Sequence, residues 1–260
     1  MKRVKTSETG QPVGDAPSPP PSAGATAETS DAPDAGATVD EASALFGAAA
    51  HEIKNALGPL AMTLQLAERQ LLAGQSIAHA DLAFARGQVR RISRLVGDLM
   101  DLTRVDLGQL AVEPAVVDLR GVVSGSVATF RRGHGGAVSL ALPEGVLSAP
   151  VDGVRIEQVL LNMLENAARY SPAGAPIAVE LARREARARV TVRDHGPGVP
   201  ADEQKRVFDR FVRGSTAKAT GGLGIGLYLC RIIVERHGGE IGVDSAPGGG
   251  SSFWFDLPCR

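Results

Sequence analysis

From about Asp40 to Leu72, apolar residues recur at steps of three and four: Phe46, Ala49, Ile53, Leu57, Leu60, Leu64, Ala67 and Leu71. That is the spacing of one helical face. A Gly-Gln-Ser turn at Gly74 interrupts it, and a second helical pattern runs from about His79 to Leu107. Leu82, Val89, Ile92, Val96, Leu99 and Leu102 form its stripe, while Arg86, Arg90, Arg91 and Arg94 fall outside it and are expected to be mostly solvated. Two long amphipathic helices joined by a short turn predict an antiparallel hairpin. A lone hairpin buries its stripes only half-way, so two copies pairing into a four-helix bundle, a homodimer, are expected.

Beyond about Gly108 the period changes. Short β-patterns appear at 138–142, 177–181, 188–192, 240–243 and 252–256, and helical runs at 118–131, 154–169 and 225–236. This succession predicts an α+β sandwich, a mixed or antiparallel sheet with helices on one face. The stretch from Val199 to Gly222 is too long for an ordinary connector, and loops of that length are usually functional. Residues 1–40 differ again, with six prolines among Ala, Gly, Ser, Thr and acidic residues. They offer too little apolar surface to offset ordering and are expected to be a disordered tail. The chain thus divides into a tail (1–40), a hairpin (41–108) and a sandwich domain (109–260).

Composition narrows the function. In 260 residues, 28 Lys+Arg stand against 29 Asp+Glu, a formal net charge of −1. That balance argues against a nucleic-acid binder relying on bulk charge. No run approaches the roughly 18–20 apolar residues of a membrane span, and the basic start lacks the apolar core of a signal peptide. Cys230 and Cys259 make no disulfide framework and lack metal-ligand spacing. A soluble, cytoplasmic protein is expected.

Several residues carry candidate chemistry. His51 points about 160° from its helix's apolar stripe, with Asn55 one turn on along the same face and Glu52 beside it. Alone this is an ordinary surface histidine, but the adjacent carboxylate can accept the proton an imidazole loses when it acts as a nucleophile. Asn162 and Asn166 share a face of the 154–169 helix, otherwise two surface amides. Asp194-His-Gly196-Pro-Gly198 follows a β-pattern, otherwise a common turn. Gly222-Leu-Gly224-Ile-Gly226-Leu227 opens a helix, where glycines let backbone N–H groups approach phosphates. The spacing is neither the G-x-G-x-x-G of dinucleotide-binding folds nor a P-loop.

Taken in order, these boxes resemble the catalytic core of sensor histidine kinases. His51-Glu52-x-x-Asn55 resembles the H box, Asn162-x-x-x-Asn166 with Arg169-Tyr170 the N box, and Asp194-x-Gly196-x-Gly198 the first glycine box. Phe208-x-x-Phe211 resembles the F box and Gly222-x-Gly224-x-Gly226 the second glycine box, and His237-Gly-Gly239 and Gly250-Ser-Ser-Phe253 also match. The resemblance spans everything except the first forty residues. It departs from the family in having Ala56 where proline is usual, with Pro59 three positions later, and no sensor domain or transmembrane segment is recognisable before the hairpin.

The resemblance implies an ATP-dependent kinase that phosphorylates its own His51 and passes the group to an aspartate of a response regulator receiver domain. It implies Mg²⁺ held by Asn166 and an amide at Asn162 where ATPases of this fold carry a water-activating carboxylate. Asp194 would recognise the adenine amino group, with Gly196 and Gly198 making room for the ring. Gly222, Gly224 and Gly226, followed by Leu227, would line the phosphates, and Arg169 and Tyr170 would touch phosphate and base. Glu52 would take the His51 proton, Asn55 would serve dephosphorylation of the regulator, and the 199–222 loop would be a lid. An upstream sensory protein would deliver the signal. Two other classes stay open: a dimeric scaffold with a degenerate ATP site, and a serine kinase of the same ATP-binding superfamily.

Overall fold

The computed structural model describes residues 35–134, 137–214, 222–245 and 248–260. The expected tail lies outside the described residues up to residue 34, as does the 215–221 part of the expected lid.

Helices α1 (Ala35–Leu72) and α2 (His79–Asp106) form the antiparallel hairpin. Its turn is made at Gly74, whose φ of 69° is the left-handed conformation that glycine adopts without strain. Small side chains let the helices approach, with Ala49, Ala56, Ala67 and Ala85 buried along the seam. Helix α1 starts at Ala35, five residues before the expected boundary, and continues through Pro59, whose carbonyl accepts the Thr63 hydroxyl at 2.9 Å. Leu57, Leu64 and Leu71 on α1 and Leu82, Val89 and Val96 on α2 remain exposed, from 42% to 59%. Each triplet repeats every seventh residue, the period of a further helix–helix seam.

Two short strands, β1 (Ala115–Asp118) and β3 (Ser148–Val151), pair antiparallel, and the main sheet has the order β2-β4-β5-β7-β6. Its strands are β2 (Val138–Ala141), β4 (Ile177–Arg184), β5 (Arg187–Arg193), β6 (Glu240–Ser245) and β7 (Ser251–Pro258). Only β2 and β4 run parallel, so the sheet is mixed. Along β5, Ala188, Val190 and Val192 are buried while Arg187, Arg189 and Arg193 lie on the other face. Helices α3 (Leu119–His134), α4 (Gly153–Tyr170) and α5 (Gly226–Arg236) cover the apolar face.

Two polar ties fix α4, which carries both candidate asparagines. Asp152 caps it by accepting the Val154 and Arg155 N–H groups, worth about 1 kcal/mol for such a cap. His237, at the end of α5, accepts the Asp152 N–H at Nε2 (3.0 Å) and donates from Nδ1 to the Ile233 carbonyl (2.7 Å). The histidine of the His-Gly-Gly run therefore locks the end of one helix to the start of another.

Candidate functional site

The end of β5, the C-terminal half of α4, the glycine turn before α5 and one side of α2 line a cleft that is partly open to solvent. Asp194, the first residue beyond β5, is buried, and its Oδ1 accepts the N–H groups of Gly196 (2.8 Å) and Ser251 (3.0 Å). Burial pushes its carboxyl pKa up, and the two N–H groups only partly offset this. A Cβ on Gly196 would stand 3.0 Å from that oxygen and 3.1 Å from the Tyr170 carbonyl, so the turn closes tightly against α4.

On α4, Asn162 is buried with its Nδ2 lacking a protein partner, and Asn166, Arg169 and Tyr170 follow along the cleft. Gly222, Gly224, Gly226 and Leu227 form the facing wall, and Gly198 lies beside Asp194. Gly224 has φ 70°, and a Cβ there would be 2.8 Å from the Val212 carbonyl. That contact clasps the glycine turn to the F-box segment, where Phe211 N–H donates to the Gly224 carbonyl at 3.0 Å. Phe208 is buried edge-on against Phe253. The first part of the expected lid, around residues 200–211, is thus a turn-rich segment anchored in the core.

The hairpin supplies the remaining wall, which the sequence did not reveal. Arg91, Arg94, Leu95 and Asp98 of α2 line the cleft. Arg94 pairs with Glu165 of α4, Asp101 accepts from Arg155 (2.9 Å) and Gln158 (2.7 Å), and Arg210 makes a two-pronged pair with Asp106 (2.8 and 2.9 Å). Leu102 of α2 and Leu45 of α1 are buried together with Ile225 and Leu229 of the α5 region. The expectation that the α2 arginines are mostly solvated is corrected here. Arg86 is exposed, but Arg90 donates to the Gly133 carbonyl and Arg91 and Arg94 are half-buried in ion pairs. Residues outside an apolar stripe are free to face a second domain, and helical periodicity carries no sign of it.

His51 and Asn55 are both exposed on α1. Glu52 is not: its carboxylate is paired with Arg91 at 2.6 Å and its side chain is only 14% exposed. Burial alone would raise its pKa, but the Gly222 N–H, Arg91 and Arg213 together hold it below the ordinary value. The structure therefore brings Glu52 to the glycine turn and leaves His51 and Asn55 beside it on the hairpin surface.

Asp98 shows the opposite balance. Burial pushes its carboxyl pKa up to about 7, Arg94 and Arg169 pull it down, and Glu165 and Asp101 add to the rise. A carboxyl raised by docking stabilises the docked form fully below the ordinary carboxylate range, and the contribution is lost as pH climbs through about 7. Asp98→Asn should therefore flatten the pH dependence of melting between about pH 5 and 8. Thermal denaturation across that range checks it, and an unchanged slope would show that Asp98 is not the group concerned.

Comparison with known proteins completes the picture. Residues 41–108 match the model of the His Kinase A (phospho-acceptor) domain. Residues 151–260 match that of the histidine kinase-, DNA gyrase B- and HSP90-like ATPases. The Escherichia coli sensor protein KdpD is 34% identical over 216 residues, 83% of this chain and 24% of that protein. The adaptive-response sensory kinase SasA of Thermosynechococcus vestitus is 35% identical over 219 residues, 80% of this chain and 58% of that protein. The chain thus spans well under two thirds of these relatives' length. Among solved structures, the mycobacterial sensor histidine kinase MprB is 31% identical with a TM-score of 0.52, covering 57% of this chain and 99% of that one. No helix among the described residues is long and apolar enough to cross a membrane. The hairpin and the glycine-walled cleft it closes are those of one family, and the chain belongs to the histidine kinases as their catalytic core.

Proposed function

We propose that this chain is an ATP-dependent protein-histidine kinase of a two-component system, phosphorylating His51 and passing the phosphoryl group to an aspartate of a response regulator receiver domain. One observation carries the reading: the histidine-bearing hairpin itself forms a wall of the glycine-rich cleft, through Arg91 and Arg94, with Glu52 tied to Arg91 and to Gly222 of the glycine turn. Asp194, positioned by two N–H groups, accepts the adenine amino group. The N–H groups of the glycine turn, at the start of α5, take phosphate oxygens where the helix dipole favours anions. The unpartnered Asn162 amide nitrogen is a donor suited to an oxygen of the nucleotide or its water, and as an amide it cannot act as a base.

Among the described residues, no three His, Cys, Asp or Glu side chains converge as a metal site. The donor set instead fits Mg²⁺ bound as the nucleotide's counter-ion, on the Asn166 amide oxygen with phosphate oxygens and water, as this hard cation prefers. Bound there, Mg²⁺ would neutralise phosphate charge. The unprotonated ring nitrogen of His51 attacks the γ-phosphorus and Glu52 receives the proton of the other nitrogen. The seven-residue stripes left exposed on α1 and α2 support pairing of two hairpins in a homodimer, and an upstream sensory protein would supply the signal.

Incubation with γ-labelled ATP tests the reading. Acid-labile, base-stable label that moves to a receiver domain is expected, whereas acid-stable label would indicate serine chemistry and no label a nucleotide-binding scaffold. Curated relatives named histidine-protein kinase/phosphatase support a reverse activity as well. Asn55 is exposed one turn beyond His51, where its amide can hydrogen-bond a water in line with a docked aspartyl phosphate. Asn55→Ala should keep autophosphorylation within a few-fold but slow decay of the phospho-regulator by at least about tenfold, the scale of one placed hydrogen bond. Equal decay with both proteins would reduce Asn55 to helix surface.

A further inference from the structure

Glu52 sits in surroundings built for a different anion. Its carboxylate meets the Arg91 guanidinium at 2.6 Å and the backbone N–H of Gly222, with Arg213 close enough to act on its charge. Gly222 is also tight against Arg169, whose Nη1 would be 3.1 Å from a Cβ there. Guanidinium groups converging on a helix-opening glycine turn are a phosphate-binding set. The carboxylate of the hairpin occupies that set.

The arrangement is made within one chain. Leu45, six residues before His51, is buried against Ile225 and Leu229, and Glu52, one residue after it, faces Gly222. Contacts on both sides of His51 thus join it to the ATP-binding domain of its own subunit. Arg91 lines the cleft from the hairpin side, and its partner Glu52 meets the glycine turn at Gly222, while Asp194 lines the cleft from the ends of β5 and β7, bonded to Gly196 and Ser251. A nucleotide with its base on Asp194 and its phosphates on that glycine turn would bring its last phosphate toward the Arg91–Glu52 pair.

Resting on the kinase reading above, we propose that Arg91 is a γ-phosphate-binding residue that serves the histidine of its own subunit. On ATP binding, Arg91 exchanges the Glu52 carboxylate for the terminal phosphate, and Glu52 is released to His51. A P–N bond then forms between the γ-phosphorus and one ring nitrogen of His51. The P–O bond to the β-phosphate breaks with its electron pair leaving on ADP, and the proton on the other ring nitrogen passes to Glu52. Arg91 is in this way both the partner that keeps Glu52 unreactive without nucleotide and the group that senses the third phosphate.

Binding measurements need no phosphoryl transfer. Displacement of a fluorescent nucleotide from the purified dimer would compare a non-hydrolysable ATP analogue with ADP. Arg91→Ala should weaken the analogue by about tenfold or more and ADP by less than about twofold, and Glu52→Gln should tighten the analogue by about threefold or more. Equal effects of Arg91→Ala on both nucleotides, or unchanged or weaker binding by Glu52→Gln, would overturn the assignment and leave the pair as a brace between α1 and α2. Mixed dimers of His51→Gln subunits, which lack the nucleophile, and Asn166→Asp subunits, which bind Mg²⁺-ATP weakly, test the intrasubunit route at an ATP concentration too low to load the latter. They should stay unlabelled, and label near half the wild-type level would place transfer across the dimer. A wild-type protein that shows the ATP-over-ADP dependence on Arg91 but never labels His51 would sink the kinase reading while upholding the phosphate-binding role.

Discussion

His51→Gln should remove the acid-labile label altogether while leaving ATP affinity within about twofold of wild type, a loss of more than about 10³ in rate without a loss of binding. The split follows from where the side chain stands. His51 is exposed on α1 and absent from the cleft wall, whereas its neighbour Glu52 makes the contacts to Arg91 and the glycine turn. Glutamine keeps the size and polarity of the position but has no nitrogen basic enough to attack phosphorus. The helix is unaffected, because Gln is a good helix former at a solvated site. Label incorporation and nucleotide titration on the same preparation check the result. Residual acid-labile label in the variant would mean that another histidine is the nucleophile, and a large fall in affinity would mean that His51 lines the bound-nucleotide site.

The elements that sequence made legible are those whose signal is local. The seven-residue stripes of α1 and α2, the alternation along β4 and β5, and the glycines before α5 each record a face or a turn in consecutive residues. Strand β1 escaped because its four residues show no alternation between buried and exposed positions, and β3 because Pro150 inside it reads as a strand breaker unless the strand is an edge. The cleft divides along the same line. Asn162, Asn166, Asp194 and the glycines are readable because their boxes are contiguous. Arg91, Arg94 and Asp98 become part of the wall only when α2 docks on α4, through Arg94 with Glu165 and Asp101 with Arg155. Partners separated by 54 or 71 residues leave no periodic trace. On the sequence, the arginines of α2 look like any charged flank of an amphipathic helix.

That hidden wall sets the outcome of the second large substitution, Asn166→Asp. Asn166 is half-buried on α4, one turn beyond Asn162 and next in sequence to Glu165. The wall already holds two carboxyl groups with little water around them, since burial raises the pKa of both Asp98 and Glu165. A neutral amide can offer an oxygen to Mg²⁺ without adding charge beside the triphosphate. A third carboxylate introduces a repulsion that water screens poorly in such a site. The variant should fold, because the exchange keeps the side-chain shape, and should bind Mg²⁺-ATP at least about tenfold more weakly, with autophosphorylation lost in proportion. Calorimetric titration with Mg²⁺-ATP at fixed pH gives the number directly. Lowering the pH toward the range in which carboxyl groups take up protons should recover part of the binding, since the introduced carboxyl is again neutral once protonated. Undiminished affinity would show that the phosphates and their cation lie elsewhere in the cleft, away from the position that Asn166 occupies on α4.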